Sequence, residues 1–276
     1  SNIDYYYRVR LRLLLLGSLV AMSACGSPSP ASEKSEQDAC SDGSVRGSLV
    51  VLAASSMAPV FADTEQQFLT DHPCVTNVSF SYGSSATLAA QIVNGSPADV
   101  FVSASETTMN TVSDSGRTVN TTLFARNSGE IMVNAASRFA DTVTSIASLS
   151  ESSNAGIKVG LCVATAPCGA LADSILEKSG SIRSAIANTE SPSVEDLVSK
   201  IEMGELDAGI VYHSDCVNAQ KSKRAVCVSI PLDVNATNSY YVAALNSRNV
   251  TQQFVDFVSS PTFTTSLQSK YGFLAP

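Results

Sequence analysis

Tryptophan is absent from the 276 residues, histidine occurs only twice (His72 and His213), and charged residues make up only 15% of the chain. Two histidines leave little material for a histidine-rich metal site. Basic residues are also few: 17 Lys and Arg stand against 25 Asp and Glu, a net charge of −8. A chain without a basic surplus cannot neutralise a phosphate backbone, so this balance argues against nucleic-acid binding. Long hydrophobic runs are missing as well. The apolar stretch at residues 13–22 falls well short of the roughly 20 residues that span a bilayer. There is no Cys-x-x-Cys pair, which weakens zinc-finger and thioredoxin readings. A Gly-x-Ser-x-Gly elbow, a phosphate-loop lysine motif and a dinucleotide fingerprint are all lacking. What is present is apolar material, 44% of the chain, enough to build a sizeable core in one large or two modest domains.

Arg8, Arg10 and Arg12 precede the short apolar run, the pattern of a signal peptide over residues 1–24. Met22-Ser23-Ala24-Cys25-Gly26 follows and reads as a bacterial lipobox, with Cys25 lipidated and serving as the new N-terminus. The alternative is an ordinary cleavage near Ala24 with Cys25 a bystander. Removing residues 1–24 takes away Asp4 and three Arg, so the mature charge is −8 − 2 = −10. Residues 25–47 are Ser-rich with little to bury, and read as a tether between lipid and folded domain. With Cys25 assigned, an even set remains: Cys40, Cys74, Cys162, Cys168, Cys216 and Cys227. Exported chains favour disulfides. Short loops favour Cys162–Cys168 and Cys216–Cys227, which leaves Cys40–Cys74; free buried thiols are the competing reading.

From residue 48 onward, short β-branched runs alternate with helical spacing. Leu49-Val50-Val51-Leu52-Ala53 reads as a buried parallel strand. Ser55 and Ser56 offer N-caps to a helix carrying Met57, Val60, Phe61, Thr64 and Phe68, which Asp71-His72-Pro73 ends. A strand over 75–82, a helix over 87–93 and a strand over 100–102 complete a β-α-β-α-β doubly wound unit. The pattern restarts near Glu130. Strands are expected at 157–163, 209–212, 226–230 and 240–245, and helices at 171–178 and 194–203. Two helical stretches, around Phe254 and around Phe263, close the chain. The expected class is α/β, with two lobes of roughly 100 residues each, a plausible domain size. The last segment is expected to return to the first lobe across a two-strand hinge.

Open α/β sheets bind ligands at the carboxyl ends of their strands. Two such junctions carry small hydroxyls beside a helix start: Ala53-Ala54-Ser55-Ser56-Met57 and Ser81-Tyr82-Gly83-Ser84-Ser85-Ala86-Thr87-Leu88. Free backbone N–H groups at a positive dipole end suit an anion there, although simple Ser capping would use the same residues. Asp99, in Pro97-Ala98-Asp99-Val100-Phe101, reads as a loop brace rather than a catalytic carboxylate. His213 directly follows a strand with no residue in view to orient it, which argues against a Ser-His-Asp triad.

At these residues the chain resembles the periplasmic molybdate-binding proteins of ABC importers. The matching stretches are Leu52-Ala53-Ala54-Ser55-Ser56-Met57, Tyr82-Gly83-Ser84-Ser85-Ala86-Thr87-Leu88-Ala89, Gly95-Ser96-Pro97-Ala98-Asp99-Val100-Phe101, Gly209-Ile210-Val211-Tyr212 and Lys270-Tyr271-Gly272-Phe273. The resemblance implies a two-lobe, type II periplasmic-binding-protein-like fold, with lobe 1 over 48–125 plus 233–276 and lobe 2 over 126–232. It also implies a non-enzymatic role: capture of molybdate, and by similarity tungstate, for an ABC transporter permease and its ATPase. The anion would be held by Ser56 and Ser85 from lobe 1. Lobe 2 would supply the backbone N–H groups of Cys168 and Val194 and the Tyr212 hydroxyl. Cys168 stands where the family usually has Ala, which a backbone donor tolerates, and a Cys162–Cys168 bridge would stiffen this cleft loop. No cofactor and no directly coordinated metal is expected. The protein is expected to be a monomer, anchored by lipid to the outer face of the cytoplasmic membrane. Sulfate or another tetrahedral oxyanion is the runner-up ligand, and an exported serine hydrolase or phosphatase is the reading from a different class.

Overall fold

The structure is a computed structural model that describes Cys40 and residues 46–276. The signal peptide, Cys25 and most of the tether expected from the sequence lie outside the described residues. Among the described residues no helix is long and apolar enough to cross a membrane.

The chain begins with β1 (Gly47–Ala54), a Ser55–Met57 turn of 3-10 helix and α1 (Ala58–Asp71). Next come β2 (Val75–Gly83), α2 (Ser85–Val93), β3 (Val100–Ser103) and α3 (Glu106–Asp114). β1 pairs in parallel with both β2 and β3. The two faces of β1 diverge in sequence order: Leu49, Val51 and Ala53 enter a core with Phe61, Phe68 and Phe254, whereas Leu52 packs with Leu88, Phe101 and Val112 on the other side. A strand buried on both faces needs this continuous apolar run, and each fully buried Leu or Phe contributes about 1.5–3 kcal/mol.

A long strand, β4 (Asn120–Asn134), carries the chain from this sheet into a second one. Its first part pairs antiparallel with β9 (Thr237–Ala244), which in turn pairs with β3. Its last part, Gly129 to Asn134, lies between β7 (Ala208–Tyr212) and β8 (Ala225–Ser229). The second sheet continues through β5 (Val159–Cys162) and β6 (Thr189–Ser191), with β7, β5 and β6 parallel. Around it pack α4 (Pro167–Lys178), α5 (Arg183–Ile186), α6 (Val194–Glu202) and α7 (His213–Lys221), over a separate core that includes Ile131, Val159, Leu161, Leu197 and Ile210. After β9, α8 (Asn249–Ser259) and α9 (Pro261–Tyr271) return to the first core.

Three disulfides join Cys40 to Cys74, Cys162 to Cys168 and Cys216 to Cys227, the pairing that loop length favours. Several local expectations need correction. Ser55 and Ser56 do not cap α1, because a 3-10 turn intervenes and the N-cap position falls on Met57 with no side-chain cap. β4 starts at Asn120, ten residues before Glu130. Its first part, Asn120-Thr121-Thr122, shows no apolar run and is extended by pairing with β9. α3, α5, β6 and α7 are short or polar elements that periodicity did not single out.

Candidate functional site

The parallel strands of both sheets point their carboxyl ends at one small cavity of about 10 Å³. That is room for about one water-sized sphere, far below the roughly 300 Å³ at which sites for larger organic ligands begin. Its walls are strand-to-helix junctions. Ala54 ends β1 and Ser55 and Ser56 follow it, Gly83 ends β2 and Ser84 and Ser85 follow it, and Ala104 follows β3. Pro167 and Cys168 open α4, Ser193 and Val194 open α6, and Tyr212 ends β7. None of these residues is charged. The first N–H groups of a helix have no acceptor within it and sit at the positive end of its dipole, so the cavity is lined with polarised donors.

All five residues singled out from the sequence (Ser56, Ser85, Cys168, Val194 and Tyr212) line this cavity. Ser56 is buried, and its Oγ lies 2.9 Å from the Tyr240 Oη. The Ser85 Oγ accepts the Ala104 N–H at 3.0 Å, which leaves its own proton free to donate. Cys168 is the second residue of α4, after Pro167, and Val194 is the first of α6, after the N-cap Ser193. Ser193 spends its side chain on the Asp196 N–H. Tyr212 is buried, and its Oη accepts from Asn238 Nδ2 at 2.8 Å. Burial pushes the Tyr212 and Tyr240 hydroxyls above their ordinary value near 10, so both remain protonated and able to donate.

The Cys162–Cys168 bridge lies in the cavity wall, and Arg183 braces the same loop from outside. Its guanidinium donates to the Cys162 carbonyl at 2.7 Å and the Gly169 carbonyl at 3.2 Å, and pairs with Asp173 and Glu190. Gly169 is required by close approach: a Cβ there would stand 1.9 Å from the Val163 carbonyl oxygen.

Sequence reasoning missed the groups behind this wall. Tyr240, wholly buried, bridges Ser56 and Tyr212, whose ring lies 5.9 Å away in edge-on geometry. In the sequence it is one of two adjacent tyrosines in an ordinary strand pattern, and only the antiparallel return of β9 brings it to the cavity. Asn238 likewise sits in a polar stretch without periodicity. His213 does have an orienting carboxylate, contrary to expectation: its Nδ1 contacts the Glu130 Oε2, and this hydrogen bond raises the imidazole above its ordinary value. Among the described residues no serine hydroxyl is hydrogen-bonded to the His213 ring, and the neighbouring Ser214 Oγ accepts from Asn127 at 2.7 Å. Asp99 is a brace: one oxygen accepts the Val50 N–H, the other accepts from Asn246 and Arg248. Asp215 accepts the Tyr212 N–H at 3.0 Å, and burial of its carboxyl pushes it up to about 7. Among the described residues, one group of candidate metal ligands clusters, Glu130 with Cys216 and Cys227, and both sulfurs are committed to a disulfide.

Two sheets with separate cores, joined through β4 and β9 and enclosing a donor-lined cavity at their strand ends, define a two-lobe solute-binding protein of type II architecture. The chain belongs to the bacterial extracellular solute-binding protein family, whose pattern matches residues 49–274. A curated relative, the molybdate-binding protein ModA of Mycobacterium tuberculosis, is 32% identical over 254 residues, covering 90% of this chain and 91% of the relative. Among solved structures, the periplasmic molybdate-binding protein of Azotobacter vinelandii superposes with a TM-score of 0.71 at 21% identity, covering 83% of this chain and 99% of that one. The sulfate-binding protein SubI of M. tuberculosis gives 0.69 at 16% identity, covering 82% and 86%. These two likenesses show the fold. The family is one of binding proteins rather than enzymes.

Proposed function

We propose that the protein captures molybdate, and tungstate with it, and hands it to an ABC importer made of a permease and an ATPase. The observation that carries this reading is the small cavity walled by helix N-termini and hydroxyls, with no charged side chain. A tetrahedral dianion presents only acceptors, and this wall presents donors. Neutral donors also release the anion when the lobes part, which a fixed lysine would resist. The relative named for molybdate supports the choice among oxyanions. The likeness to a sulfate-binding protein makes sulfate the second reading.

In this proposal Ser56 and Ser85 donate from lobe 1, residues 48–125 plus 233–276. Cys168 N–H, Val194 N–H and the Tyr212 hydroxyl donate from lobe 2, residues 126–232. The switch of β4 from β9 to β7 and β8 supports this division. Affinity in the micromolar to nanomolar range corresponds to about −8 to −12 kcal/mol. Calorimetric titration with molybdate should give one site in that range, and Ser56→Ala and Ser85→Ala should each lose about 1–3 kcal/mol through an under-satisfied anion oxygen. Unchanged affinity in both variants would overturn the site. Cys25 is proposed as the lipid anchor on the outer face of the membrane. Cys25→Ser should then leave a folded protein in the soluble fraction, and its retention on membranes would refute the anchor.

A further inference from the structure

Asn238, the second residue of β9, touches two of the proposed donors at once. Its Nδ2 donates to the Tyr212 Oη at 2.8 Å and to the Pro167 carbonyl oxygen at 3.1 Å. A side-chain amide has two N–H protons, and both are spent here. The orientation of the amide is not ambiguous: Pro167 O can only accept, so the amide oxygen could not stand in its place.

Each of these two hydrogen bonds sets a direction. The Pro167 carbonyl belongs to the same peptide unit as the Cys168 N–H. In a trans peptide the two point to opposite sides, so anchoring the carbonyl on β9 turns the Cys168 N–H away from β9. Cys168 lines the cavity, and as the second residue of α4 its N–H has no acceptor in the helix. At Tyr212, the lone pair facing Asn238 is occupied by a donor. The single hydroxyl proton must therefore leave in another direction, toward the cavity or toward Tyr240 and on to Ser56.

We infer that Asn238 is a positioning residue for the lobe-2 half of the anion site, one that orients the Cys168 N–H and holds Tyr212 as a donor, and so disfavours protonated anions. This rests on the reading of the cavity as the oxyanion site. A carboxylate of the same shape would invert the arrangement. It would accept the Tyr212 proton, repel the Pro167 carbonyl and give the network the acceptor that it lacks.

The test compares the full protein with Asn238→Asp and Asn238→Ala, with Tyr212→Phe and Ser56→Ala as site controls, by calorimetry with molybdate and phosphate between pH 8 and 5.5. Thermal melts check that each variant is folded. Asn238→Ala should lose roughly tenfold in molybdate affinity, the worth of one misdirected donor. Asn238→Asp should lose roughly a hundredfold at pH 8, narrow the gap between molybdate and phosphate, and recover toward the Ala variant as the new carboxylate protonates. A simple packing role would give a loss that does not change with pH. If the controls lose affinity while both Asn238 variants stay within threefold of the parent, or if the Asp and Ala variants lose equally at every pH, the inference fails and the site stands. If the controls themselves bind normally, the site fails first. Should the Asp variant not fold, the Ala variant and its effect on the molybdate-to-phosphate ratio decide alone: an unchanged affinity and ratio would overturn the inference.

Discussion

Behind three of the cavity hydroxyls stands a second hydrogen-bonding group. Ala104 N–H occupies one lone pair of Ser85, Asn238 occupies one of Tyr212, and Tyr240 meets Ser56. Such networks polarise their members in a low-dielectric setting. Outside the cavity, the residue with the clearest electrostatic role is His213. It follows Tyr212 directly, contacts the largely buried Glu130, and lies against the turn at Gly272, where an added Cβ would stand 2.8 Å from its ring. The bond to Glu130 raises the His213 pKa above 6.5, so the folded state binds this proton more tightly than the unfolded chain. That contribution is fully present below the unfolded value and disappears as pH climbs through the folded one. Between pH 5.5 and 8.5 the parent should therefore lose stability relative to His213→Gln. Denaturant melts across this range would show the two curves converging, and parallel curves would refute the pairing. The imidazole is 42% exposed, so solvent screening keeps the effect small.

At the level of the element, the site is a set of strand-to-helix junctions, and the β5–α4 junction is the most heavily constrained. The Cys162–Cys168 bridge closes a loop of sequence separation 6, which stabilises the fold by about 2 kcal/mol in the chain-entropy account. Arg183 independently grips both ends of the same loop through the Cys162 and Gly169 carbonyls. The double variant Cys162→Ala, Cys168→Ala should accordingly melt earlier while molybdate affinity stays within a fewfold of the parent. A hundredfold loss of affinity would show that the bridge, rather than Arg183 and Asn238, holds the Cys168 N–H. The junctions themselves were legible in the sequence, because buried parallel strands are continuous apolar runs and the small hydroxyl residues follow them directly. The helix start at Val194 was also legible from spacing, whereas the helix start at Cys168 and the ligand roles of Cys168, Val194 and Tyr212 came from likeness to a family. Asn238, Tyr240 and the Glu130–His213 pair were not legible at all. Each depends on antiparallel pairings of β4 with β9 or β7, between residues 80 or more positions apart, for which a single sequence offers no periodic signal.

Across the whole molecule, the two sheets share β4, and β9 brings the chain back. Gly129 and Asn235 exchange hydrogen bonds at 3.0 Å where the chain passes between them, and a Cβ at Gly129 would strike Ile175 at 2.3 Å. Donors from both lobes meet in one cavity, so closure of the lobes and engagement of the anion are the same event in the proposed mechanism. An acidic protein of net charge −8 gains nothing from long-range attraction for a dianion. Selectivity must then come from local fit and from the donor-only wall. Phosphate near neutral pH carries a proton that finds no acceptor there, at a cost of about 1–3 kcal/mol. Sulfate has the right charge but shorter bonds, and in the proposed mechanism it would stretch the donors of a cage that closes on molybdate. Calorimetric titration of the protein with molybdate, tungstate, sulfate and phosphate at equal ionic strength tests this most directly. Molybdate and tungstate should bind tightly and alike, sulfate far more weakly, and phosphate at least tenfold more weakly than molybdate. Sulfate binding as tightly as molybdate would contradict the account and move the protein to sulfate capture, and tight phosphate binding would contradict the donor-only wall.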